Sequence, residues 1–117
     1  MGYRSFEDLE VWKNACQLAV EIYSVLRHCK DYSYRDQMQK SAISIPSNIA
    51  EGAERGSTKD FIRFLHIAKG SAGELRTQLY IAEKVKIINS NDRVALCDKL
   101  ISISKMLQSL ISSLSTT

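Results

Sequence analysis

Arg55, Lys59 and Arg63 recur at steps of four, His66 follows three residues later, and Lys69 lies close by. On a helix that spacing makes one basic row. Such a row touches backbone phosphates without reading bases. Arg55, Lys59, Arg63 and Lys69 are therefore the candidates for nucleic-acid binding. The plainer arrangement of the same residues is a solvated face, with Glu51 paired to Arg55 and Asp60 to Arg63.

Acid–base chemistry would need two carboxylates at one place, and Glu51 and Glu74 are the pair to consider. If the second and third periodic segments form a hairpin turning near Gly56, Glu51 is level with Phe61. Glu74 then lies roughly 20 Å further along the axis at 1.5 Å per residue, whereas a glycosidase pair stands about 5–10 Å apart. Only a neighbouring subunit could gather Glu51, Arg55, His66 and Glu74 into a pocket. Helical di-iron sites need Glu-x-x-His twice. Here Val25 and Arg63 stand three residues before His28 and His66, so both histidines are expected at the surface or its boundary. AEGAERGS, residues 50–57, lacks the GxxxxGK[ST] pattern of a phosphate loop, and no strand signal precedes it. Cys16, Cys29 and Cys97 show no CxxC spacing and are expected as reduced, buried thiols. No catalytic residue, metal ligand, cofactor or small-molecule substrate is assigned.

The chain that must position these residues has 117 amino acids, 44% hydrophobic and 25% charged, with a net charge of +3. That suits one soluble domain spanning 1–117. The charge alone is too small to imply nucleic acid. No apolar run reaches the ~18 residues of a membrane span, and the polar start lacks a signal-peptide core. The expected location is the cytoplasm.

Apolar residues at steps of three and four predict helices over about 5–29, 34–53, 58–85 and 92–113. The predicted faces are Leu9, Trp12, Cys16, Ala19, Ile22, Tyr23 and Leu26; then Met38, Ala42, Ile45 and Ile49. Next come Phe61, Phe64, Leu65, Ala68, Ala72, Leu75, Leu79 and Ala82; last, Leu96, Leu100, Ile103, Leu107, Leu110 and Leu114. Ser5 with Asp8, and Ser57 with Asp60, have capping-box-like spacing. Ser90 or Asn91 is the expected cap of the last helix, and the final serines and threonines are expected to fray. Trp12, Tyr23 and the phenylalanines are expected in the core. The fold class is all-α, an up-down-up-down antiparallel four-helix bundle.

SIPSNIAEGAERGS, residues 44–57, interrupts this regularity with the one proline of the chain. Pro46 cannot donate to the Ala42 carbonyl, which costs ~3 kcal/mol inside a helix. Ile45 would be a poor cap for a new helix, so the second helix is expected to continue, kinked at Pro46. Gly70 and Gly73 cost about 1 kcal/mol each against alanine. In the hairpin Gly70 is level with Ala42. The expectation is one close crossing of the two helices, with Ser71 satisfying the freed carbonyl. The competing use of this small face is a contact between subunits.

The blocks SFEDLEVWKNACQLAVEIY and QMQKSAISIPSNIAEGAERGSTKDFIRFLHIAKGSAGELRTQL resemble the small bacterial proteins encoded in intervening sequences of 23S ribosomal RNA genes. That family is related to the accessory variability determinant of diversity-generating retroelements. The resemblance implies a four-helix bundle assembled as a ring-like homopentamer, with no established enzyme activity. For the retroelement relatives it implies a basic surface that binds RNA and the reverse transcriptase. Asn48, Glu51, Gly52, Arg55, Ser71 and Glu74 fall on its motif positions. With Pro46, Gly70 and Gly73, the uncharged and acidic ones among them are expected to fix helix packing or a subunit contact. The leading expectation is a non-enzymatic homo-oligomer, a pentamer by resemblance, that touches RNA or DNA backbone. The alternatives are a protein scaffold without nucleic-acid contact, and an enzyme with its site between subunits.

Overall fold

The computed structural model describes residues 5–116. Four helices fill it: α1 (Glu10–Val25), α2 (Tyr32–Glu54), α3 (Thr58–Lys84) and α4 (Ser90–Ser115). They form an antiparallel bundle measuring 46 × 20 × 19 Å. Each helix packs on the next, and α1 closes the bundle against α4.

The caps explain where the helices begin. Asp31, Ser57 and Asn89 accept from the backbone N–H three residues on, of Tyr34, Asp60 and Asp92. Each satisfies a donor that the first turn leaves open. Asn89 thus takes the capping role expected of Ser90 or Asn91. Ser5 instead caps a single 3-10 turn, Phe6–Asp8, by accepting from the Glu7 N–H. Helix α1 consequently starts at Glu10 rather than 5. It stops at Val25, four residues before the expected end. Helix α4 runs to Ser115, past the expected 113. Gly56 lies between α2 and α3 at φ +80°, a backbone shape that glycine adopts without steric cost.

The inward faces of α2 and α3 hold the residues their periodicity selects, from Met38 to Ile49 and from Phe61 to Ala82. On α4, Leu96, Leu100, Ile103 and Leu107 are buried, while Leu110 and Leu114 are half-buried beside a buried Ile111. The face of α1 is rotated from its expected phase. Val11, Ala15, Leu18, Ala19, Ile22 and Leu26 are buried. Leu9, Trp12 and Cys16 lie at the margin, and Tyr23 is exposed. Trp12 instead meets Phe6 edge-to-face, with ring centroids 5.3 Å apart.

Helix α2 passes through Pro46 without a break, and Pro46 is buried. The pairing of α2 with α3 follows the hairpin turn at Gly56. The Tyr34 hydroxyl donates to the Gln78 carbonyl at 2.6 Å, and the Ser44 and Ser71 hydroxyls are 2.9 Å apart. Asn48 Nδ2 donates to both the hydroxyl and the carbonyl of Ser44. The tight crossing belongs to Gly52, not to Gly70 or Gly73. A methyl group on Gly52 would stand 2.7 Å from the Phe64 Cβ, whereas one on Gly70 or Gly73 would meet nothing within 4 Å. Ser71 points into the seam, but its hydroxyl partner is Ser44. At 100° per residue, Gly70 and Gly73 are turned away from the side that holds Ser71.

Candidate functional site

The basic row divides. Arg55 pairs with Glu51 at 3.1 Å and Arg63 with Asp60 at 3.7 Å. Both guanidiniums also lie over the Phe64 ring, at 4.8 and 4.5 Å from its centre. This is the solvated, acid-paired face that the spacing of the charges allows. Lys69 has left the row and donates to Gln108 of α4 at 2.7 Å. Lys59 is exposed, with no ion pair among the described residues.

The remaining candidates do not converge. Glu51 is engaged with Arg55, while His66 and Glu74 stand exposed on the outside of α3. Asn48, Ser71 and Gly52 belong to the α2–α3 seam, and Gly70 and Gly73 to the outer face of α3. Among the described residues, no cluster of His, Cys, Asp or Glu is arranged to hold a metal. His28 is exposed like His66. Of the three free cysteines only Cys97 is buried; Cys16, at the margin of α1, and Cys29, in the α1–α2 connection, are half-buried. Burial pushes the Cys16 and Cys97 thiols up from their ordinary range, which disfavours the nucleophilic thiolate.

The fold gathers a second set of basic side chains that no sequence row announces. The antiparallel order puts the α1–α2 and α3–α4 connections at one end of the bundle. There His28, Lys30 and Lys86 line a common hollow of about 330 Å³ together with Asp31, and Lys84 lies two residues from Lys86. Lys30, Lys84 and Lys86 are exposed and make no ion pair among the described residues. At this end, residues 26–36 and 83–93 hold six basic and four acidic side chains. At the other, residues 5–13 and 51–63 hold four basic and six acidic ones. The net +3 of the chain is therefore polarised along the long axis, and the expected basic row lies at the acid-rich end. The signal was present in the sequence, but only as a charge count over two loops that the bundle topology brings together.

Among the described residues, no helix is long and apolar enough to cross a membrane. The profile of the 23S rRNA-intervening sequence proteins matches residues 7–109. The chain belongs to that family. A crystal structure from Bacteroides thetaiotaomicron, described as a protein of unknown function from the S23 ribosomal protein family, superposes on this intervening-sequence protein with a TM-score of 0.80. The two are 28% identical over 86% of this chain and 97% of that one. A search of curated proteins finds no match.

Proposed function

We propose that this intervening-sequence protein is a non-enzymatic bundle that assembles with copies of itself, as a pentamer, and touches RNA or DNA backbone through the basic end of each copy. The observation that carries this reading is the group of unpaired lysines, Lys30, Lys84 and Lys86, at the end where basic side chains outnumber acidic ones. Free ammonium groups displace counterions from phosphates. Guanidiniums already held by carboxylates, as Arg55 and Arg63 are, must first break a pair. In a ring, each copy presents its basic end towards the same side, because cyclic symmetry preserves the polarity of every protomer. The modest charge of one chain is thereby multiplied into one field.

The test is titration of a labelled single-stranded RNA at several salt concentrations. The logarithm of the binding constant should fall linearly with the logarithm of salt concentration. Replacing Lys84 and Lys86 together by Glu should weaken binding at low salt by at least about tenfold and flatten that slope. Replacing Lys59 and Arg63 by Glu should do less. No binding at low salt, or binding indifferent to salt, would remove nucleic acid from the reading.

A further inference from the structure

Among the described residues, two exposed surfaces complement one another. The first is the groove between α1 and α2, about 760 Å³ in volume. Val20, Tyr23 and Ile43 line it while 61%, 44% and 44% exposed. Arg27 and Arg35 complete one end, and among the described residues no carboxylate lines it. Arg27 has no ion pair among the described residues, and Arg35 only the adjacent Asp36 at 3.3 Å.

The second surface is the outer side of α3. Ile67 and Ile81 are 42% and 47% exposed and stand about 21 Å apart at 1.5 Å per residue. Between them Glu74 is exposed without a hydrogen bond or ion pair among the described residues. Gly70 and Gly73 leave the backbone beside it open, with nothing near where a Cβ would lie. Each is unfavourable by about 1 kcal/mol inside a helix, and no contact within the chain offsets that.

We infer that the α1–α2 groove of one copy receives the outer face of α3 of the next. The inference rests on the reading that the protein assembles with copies of itself, and names the surfaces that do so. The exposed isoleucines of α3 find apolar surface in Val20, Tyr23 and Ile43. The glycines let the α3 backbone come close to the groove. Glu74 brings a free carboxylate to a groove whose only charges are guanidiniums, and such complementarity fixes both partner and register. The two surfaces lie on different parts of the bundle, so the contact is head-to-tail and propagates from copy to copy until it closes.

The experiment is solution mass by light scattering across a dilution series of the full chain, with helix content checked by circular dichroism. The wild type should exceed the mass of one chain. Gly70→Leu, Glu74→Arg and Arg27→Glu should each retain helix content and raise the dissociation constant at least about tenfold. Glu74→Arg combined with Arg27→Glu in one chain should recover assembly, which a merely structural defect would not. If the wild type assembles but these single variants assemble as tightly, the proposed surfaces are wrong and self-assembly stands. If the wild type is one chain at every concentration, self-assembly fails, and this contact with it.

Discussion

Gly52 on α2 faces α3, and an added methyl group would stand 2.7 Å from the Phe64 Cβ and 3.3 Å from the Phe61 ring and carbonyl. Gly70 and Gly73 on α3 face away from the bundle, with open space where their methyl groups would be. All three are unfavourable for a helix in the same way, but only Gly52 has its reason inside the chain. There the absent side chain lets two backbones approach and two phenylalanines pack. On the outside of α3 the same absence gains the single chain nothing. The seam between α2 and α3 thus accounts for its own sequence, whereas the outer face of α3 points to something beyond the chain.

The largest effect should come from Gly52. Gly52→Ala gains up to about 1 kcal/mol of helix propensity but forces Phe64 or a backbone to move, and such overpacking typically costs 1–3 kcal/mol. The expected net loss in chemical denaturation is about 1–2 kcal/mol. A stabilised Gly52→Ala would show that the crossing is loose and would erase the contrast with α3.

Gly70→Ala and Gly73→Ala should move the other way. Each should stabilise the single chain by about 0.5–1 kcal/mol, since nothing resists the methyl group. The measurement belongs in the Glu74→Arg background, where assembly does not contribute. Loss of stability at either position would mean that the outer face of α3 is constrained within the chain after all.

Much of this arrangement was legible in residue spacing. The levels of α2 and α3 follow from the turn at Gly56, which is why Tyr34 meets Gln78 and Ser44 meets Ser71. Level does not fix rotation, however. The turn sets Gly70 at the height of Ala42, yet Gly70 faces away from the seam, because one residue turns the side chain by 100°. Helix α1 shows the same limit. Val11, Trp12, Cys16, Leu18, Val20, Ile22 and Tyr23 spread over a wider arc of it than one core face needs, so packing against α2 and α4 had to choose the buried phase. The basic end was hidden for a third reason. Lys30 and Lys86 are far apart in the chain, and only the order of the helices makes them neighbours.

The smallest effect lies on the opposite surface, where Lys99 of α4 donates to Glu21 of α1 at 2.6 Å. Burial pushes the Glu21 carboxyl up, but hydrogen bonds from Lys99 and Gln17 and the Lys99 charge together outweigh it and hold the group below its ordinary range. A carboxyl lowered by folding contributes stability above its unfolded pKa, and that contribution is lost as pH falls through the folded value. Lys99→Met should therefore cost a few tenths of a kcal/mol at neutral pH, as for exposed pairs generally, where the range is roughly 0.2–1 kcal/mol. The deficit should disappear in acid, once Glu21 is protonated in both proteins. Denaturation of the two proteins at neutral and acidic pH reads this difference directly. A deficit that persisted in acid would show that Lys99 does not act through the ionised Glu21 carboxylate.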